Sequence, residues 1–120
     1  MKLDRIVFVH VAVLVGITAL AVGTAQAEPQ GARRVELVNM VRQDCGSCHG
    51  ITLKGGLGPA LLPAVLEGKP ADSLVATVMN GRPGTAMPGW SRFLNEAEAQ
   101  WIVARLLQGF PQIAQSENAP

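Results

Sequence analysis

The sequence predicts an all-α domain, and three features of its pattern predict it. Apolar residues recur three and four positions apart in three separate stretches, the period of an amphipathic helix. No stretch alternates apolar and polar residues as a half-buried strand would, and no segment repeats. The segments between the periodic stretches are rich in glycine and proline, which is loop composition. Three main helices joined by long loops is the architecture that these features support.

The first 27 residues stand apart from that domain. Lys2 and Arg5 form a short basic start, and Ile6 to Val22 is an apolar run interrupted mainly by His10 and Thr18. Ala25-Gln26-Ala27 then gives the small-x-small pattern that signal peptidase cuts. An uncleaved membrane anchor is the alternative. The run is short for a spanning helix and the cleavage pattern follows at once, so a cut before Glu28 is expected, with no membrane span afterwards.

The domain expected is therefore 28–120, 93 of the 120 residues once 27 are set aside. Of the 10 basic and 9 acidic side chains, removing Lys2, Arg5 and Asp4 leaves eight of each. A chain so balanced has no basic stripe for nucleic acid and no acidic tail for a basic partner. A domain of this size buries only a thin core, which a large apolar cofactor can complete.

The first helix runs from Arg33 to Asp44. Val35, Val38 and Val41 recur every three residues, Leu37 and Met40 widen the stripe, and Arg33, Arg34, Glu36, Arg42 and Gln43 take the other side. It leads directly into Cys45-Gly46-Ser47-Cys48-His49, a Cys-x-x-Cys-His motif of the kind that attaches a c-type haem. Two thiols three positions apart on a helical turn can each add across one haem vinyl group, and the following histidine can ligate the iron. A thioredoxin-like pair would use the same cysteines, but it wants a βαβ context that this chain lacks. A structural zinc would need about four ligands, and the sequence holds only 2 Cys. A plain disulfide gives no reason for the histidine. One covalently bound haem is the cofactor expected, and since such attachment and export belong together, the periplasm is the expected compartment.

Of 2 histidines, His10 falls in the segment expected to be removed, so His49 is the one left to the domain. The sixth iron ligand is then Met, Lys, water or nothing. Met40 lies five positions before Cys45, too near in sequence to reach the other haem face, and is expected to pack in the core.

Gly50 to Gly58 reads as a loop passing close to the haem edge, and Gly58-Pro59-Ala60-Leu61 ends it. A proximal histidine needs an acceptor for its second ring nitrogen. On the residues alone two roles stay open for Pro59, carbonyl acceptor or rigid turn. Leu61 to Lys69 is an irregular connection with room for one short turn. Pro70 suits the start of the next helix, whose apolar face is Leu74, Val75, Val78 and Met79, and Asn80-Gly81 stops it. Arg82 to Trp90 is a loop stiffened by Pro83 and Pro88. Asn95 caps the last helix, with Glu98 completing a capping box. Trp101, Ile102, Leu106, Ala97 and Ala104 supply its buried side, Gly109 and Pro111 end it, and Ser116 to Pro120 reads as a frayed tail.

Thioether sulfur is a soft neutral ligand, and His/Met ligation raises a haem potential. Met79 is in phase with its helix face, which favours packing. Met87 sits in the stiff loop where no packing face explains it, 38 positions from His49, ample to reach the other side of the haem. Met87 is the distal ligand expected.

The ordered series Cys45-x-x-Cys48-His49, Gly58-Pro59-x-Leu61, Asn80-Gly81 and Met87-Pro88, followed by a C-terminal helix, resembles the class I monohaem cytochromes c across essentially the whole domain. The resemblance implies that fold, with its first and last helices crossing beside the haem. It implies that the Pro59 carbonyl accepts from the proximal histidine and that Met87 is the distal ligand. Within the family, the Gly-Gly-Leu-Gly-Pro-Ala-Leu-Leu-Pro stretch and the Met-Pro-Gly-Trp loop are similar to the NirC-type small cytochromes associated with the haem cd nitrite reductase of denitrifiers. One departure is that the family's aromatic residue one turn after Trp101 is here Arg105, leaving Trp101 to take over its packing role.

The function expected is one-electron carriage, with both axial positions filled by His49 and Met87. Partners would be periplasmic redox proteins, nitrite reductase or the maturation of its special haem among them. They would meet an apolar patch around the haem edge, rimmed by Lys54, Arg82 or Arg92. A monomer is expected. No residue pair resembles a nucleophile with its base, so bond-making catalysis is not. If Met87 were not a ligand, a haem-based sensor or ligand-binding protein would be the reading.

Overall fold

The computed structural model describes residues 28–110, so the expected signal segment 1–27 and the tail from Pro111 lie outside the described residues. Among the described residues every regular element is helical. Helix α1 spans Gly31–Met40, a π-helical turn follows at Val41–Cys45, and α2 takes up Gly46–His49. Then come α3 (Pro63–Leu66), α4 (Ala71–Asn80) and α5 (Glu96–Gln108).

The first helix differs from its expected face. Leu37 and Val41 are fully buried, whereas Val35 is half exposed. A stripe stepping by three drifts around a helix, and the partner helix selects the four-residue step instead. That partner is α5, which contributes Trp101, Ile102 and Leu106 to the same core as Leu37 and Val41. Arg33 of α1 fixes the crossing: its Nε and Nη2 donate to the two carboxylate oxygens of Glu98 at 2.6 and 2.9 Å. Nη2 also donates to the Phe93 carbonyl at 2.9 Å.

Helix α5 begins as its sequence dictates. Asn95 accepts from the Glu98 amide at 2.9 Å, and the Glu98 carboxylate accepts from the Asn95 amide at 3.0 Å. Its buried side corrects the expectation at the small residues. Ala97 faces solvent and Ala104 is half-buried, while Ala99 and Val103 are buried against Val75 of α4. The helix is covered on two sides, by α1 and by α4, so one apolar stripe does not describe it.

The place one turn beyond Trp101 is polar, and its aromatic neighbour comes from elsewhere. Phe110, past the Gly109 turn, meets the Trp101 ring edge-on at 6.5 Å between centroids. Trp101 Nε1 donates to Glu28 at 3.1 Å, and Arg105 lies 3.7 Å from the same carboxylate oxygen. The connection from Leu61 holds the single short turn α3, and α4 stops at Gly81, where φ is +73°. No described helix is long and apolar enough to cross a membrane.

Candidate haem site

The motif lies where the widened turn passes into α2. Cys45 and Cys48 are free, half-buried thiols three positions apart, hence neighbours on one turn. Burial, reinforced by the Asp44 charge, pushes the Cys45 thiol up to about 11. A redox-active dithiol needs the opposite shift, because the thiolate is its nucleophile. Among the described residues no group of three or more His, Cys, Asp or Glu side chains is placed to hold a bare metal ion. Every regular element among the described residues is helical, so the βαβ context of a thioredoxin-like pair is not found around the motif.

His49 is buried, and its Nδ1 lies 2.7 Å from the Pro59 carbonyl oxygen. A carbonyl can only accept, so Nδ1 carries a proton, and in the neutral ring that leaves the Nε2 lone pair for a ligand. The loop that delivers Pro59 folds back on the motif itself. Gly58 donates to the Cys48 carbonyl at 2.8 Å, and Gly55 donates to the His49 carbonyl at 2.8 Å. Gly58 then lies against the imidazole face: a Cβ there would stand 2.9 Å from both Cε1 and Nδ1. Only glycine lets the backbone approach the ring so closely. Four of the five expected site residues, Cys45, Cys48, His49 and Pro59, are thus assembled by one continuous stretch.

Met87 sits on a separate element, half-buried in the loop after α4. That loop is tied at both ends. Arg82 donates to the Met87 carbonyl at 3.2 Å, and Trp90 and Ser91 donate to the Val78 and Met79 carbonyls of α4 at 3.0 and 3.2 Å. Gly81 has positive φ and stands so close that a Cβ would meet the Met87 carbonyl at 2.6 Å. Inside the loop Thr85 Oγ1 donates to the Arg82 carbonyl at 2.7 Å, and the Met87 amide donates to Thr85 Oγ1 at 3.3 Å. Neither the role of Thr85 nor the ring contact of Gly58 follows from periodicity; the hydroxyl two residues before Met87 is the one sequence signal for the first. Met79 packs half-buried between the two apolar clusters, and Met40 packs against the main one.

Residues 33–104 match the family described as "Cytochrome C oxidase, cbb3-type, subunit III". The cytochrome c55X of Stutzerimonas stutzeri is 55% identical over 86 residues, spanning 72% of this chain and 76% of that protein. A solved structure of "c-type cytochrome NirC" shares 54% identity and a TM-score of 0.66, over 68% of this chain and 96% of that one. The chain belongs to the NirC-type small c-type cytochromes. Its fold is that of a class I cytochrome c.

A c-type cytochrome holds haem covalently, and the donor set here fits that group. Two unpaired thiols flank a turn that ends in an imidazole whose Nδ1 is engaged and whose Nε2 is available. The dihydro-heme d1 dehydrogenase of Pseudomonas aeruginosa is similar over a shorter stretch. It is 42% identical over 74 residues, which are 61% of this chain and 15% of that protein.

Proposed function

We propose that this c-type cytochrome is a periplasmic one-electron carrier with a single haem held by Cys45, Cys48, His49 and Met87. The observation that carries the reading is the buried His49 ring, fixed through Nδ1 on the Pro59 carbonyl at 2.7 Å. That bond sets the tautomer and the plane of the imidazole, as the partner of a ligating histidine does. Cys45 and Cys48 would form the thioether links, and Met87 would supply the sixth ligand from its tied loop. Bound there, haem supplies a ferric/ferrous couple, with no open iron position for a substrate. The Met87 loop is anchored at Arg82 and at Trp90, and such anchoring would hold the ligand in both oxidation states and so lower the reorganisation of each transfer.

Ligation is read in the near infrared, where the ferric protein should show the weak sulfur-to-iron band. Met87→Ala should abolish the band and Met79→Ala should retain it; the reverse outcome would move the ligand to Met79. Intact mass of the exported protein should equal a chain starting at Glu28 plus one haem. Recovery at full length in the membrane fraction would instead make residues 1–27 an anchor.

The electron partner belongs to nitrite reduction or to the making of its special haem, a reading supported by the NirC-type relatives and the dihydro-heme d1 dehydrogenase likeness. Contact would be made beside the motif, where Ile51 is 75% and Leu57 94% exposed, with Lys54, Arg82 and Arg92 exposed as rim charges. A monomer with eight charges of each sign has little long-range steering, so exchange should respond weakly to salt beyond the first Debye length. Anaerobic mixing of the reduced protein with oxidised nitrite reductase across a salt series tests this. Rapid transfer is expected; negligible transfer with prompt carbon monoxide binding would replace the carrier with a sensor.

A further inference from the structure

We propose that the π-helical turn at Val41–Cys45 is a positioning element that turns both cysteines of the motif out of the core stripe and toward the haem. The proposal rests on the reading of Cys45 and Cys48 as the points of attachment. The buried stripe that runs from α1 into the turn is Leu37 and Val41, four apart. Continued as an α-helix, the same face would carry residues 45 and 48, since positions four and seven further on lie above one another. The buried positions that follow are instead Gly46 and His49. The step from Val41 to Gly46 is five residues, and the Gly46 amide is shared between the Val41 carbonyl, five residues back, and the Gln43 carbonyl, with the α-helical acceptor Arg42 passed over.

One additional residue in a turn rotates everything downstream by about 100°, the angle per residue of an α-helix. The rotation has two consequences here. It places Gly46 against the following loop, where a Cβ would stand 3.4 Å from the Ile51 Cα. In the unbroken register Cys45 would occupy that place, its sulfur directed at the Ile51 backbone. It also leaves both cysteines half-buried, Cys45 against the rim of the main core and Cys48 outside that cluster, while His49 goes in. The single helix can then present one face to α5 and another to the cofactor.

Deletion of Gln43, an exposed residue within the turn, removes the additional residue without removing a core side chain. Covalent haem per chain, read from denatured protein by absorbance and mass, should fall at least ten-fold, with two free thiols appearing. Gln43→Ala should keep full haem. Full attachment in the deletion, or loss in both variants, overturns the proposal. Wild-type chain without covalent haem would instead overturn the attachment reading on which it rests.

Should the deletion fail to accumulate, the reduced wild-type holoprotein decides by trans-hydrogen-bond NMR couplings. Coupling of the Gly46 amide to the Val41 carbonyl supports the widened turn. Coupling to the Arg42 carbonyl, the ordinary α-helical partner, rules it out.

Discussion

Gly58→Ala should loosen the proximal side of the haem site while leaving every expected ligand in the chain. A Cβ at this position would stand 2.9 Å from Cε1 and Nδ1 of His49, closer than non-bonded carbon atoms pack. Either the ring or the loop must move, and both routes strain the same hydrogen bond. The neighbouring carbonyl, that of Pro59, holds Nδ1 at 2.7 Å. Overfilling a packed site costs about 1–3 kcal/mol, and disturbing a ligand's orienting bond weakens ligation as well. The substitution is therefore expected to lower the unfolding free energy of the ferric protein, read from denaturant melts, by that amount. It should also let carbon monoxide bind the reduced protein faster than it binds wild type. An unchanged unfolding free energy together with unchanged carbon monoxide kinetics would show that the loop accommodates the methyl group freely. The adjacent hydrogen bonds, Gly58 to Cys48 and Gly55 to His49 at 2.8 Å each, argue against such freedom.

What the sequence made legible was local. The Asn95–Glu98 capping box, the stop at Asn80-Gly81 and the start of α4 after Pro70 are spelled by neighbouring residues, and each stands where its spelling puts it. The Cys-x-x-Cys-His motif is contiguous, so Cys45, Cys48 and His49 were found together for the same reason. The residues around Pro59 suit a carbonyl acceptor and a rigid turn equally, and the family resemblance favours the acceptor. What the sequence did not show was decided by partners distant along the chain. Leu37 replaces Val35 at the centre of the α1 face because α5 lies there, and Val103 is buried because α4 covers it. Phe110 takes the aromatic place at Trp101 from beyond the helix end, where no periodicity could announce it. The widened turn has no signature in composition: Val41 to Cys45 reads as ordinary helix, and the additional residue shows only in the structure, in the Gly46–Val41 hydrogen bond and the five-residue step between buried positions.

Glu98→Ala should produce the other large loss, because one carboxylate serves two structures. It closes the capping box on the Asn95 amide, and it receives both donors of Arg33 across the α1–α5 crossing. Losing a cap costs about 1 kcal/mol, and losing a charge-assisted pair about 1.5–3 kcal/mol before screening. Arg33 is about one-third exposed, at 35%, against 13% for Glu98, so part of the second contribution is lost to solvent. A total destabilisation of about 2–3 kcal/mol is expected from denaturant melts near neutral pH.

Acidity separates the two contributions. The Arg33 hydrogen bond holds the Glu98 carboxyl below its usual range, outweighing the opposing effect of burial. A carboxyl with a depressed folded value adds stability in full above the unfolded value, about pH 4.3 for glutamate, and loses it as pH falls through the folded value. The stability gap between wild type and Glu98→Gln should therefore be constant from neutrality to about pH 5 and narrow steadily below it. A gap independent of pH down to pH 2 would mean that shape alone, without charge, joins the helices. Since α1 leads through the π-helical turn directly into Cys45, Cys48 and His49, the same clamp bears on haem geometry. Glu98→Gln at low pH and wild type at low pH should then converge in ligand-band intensity as well as in stability.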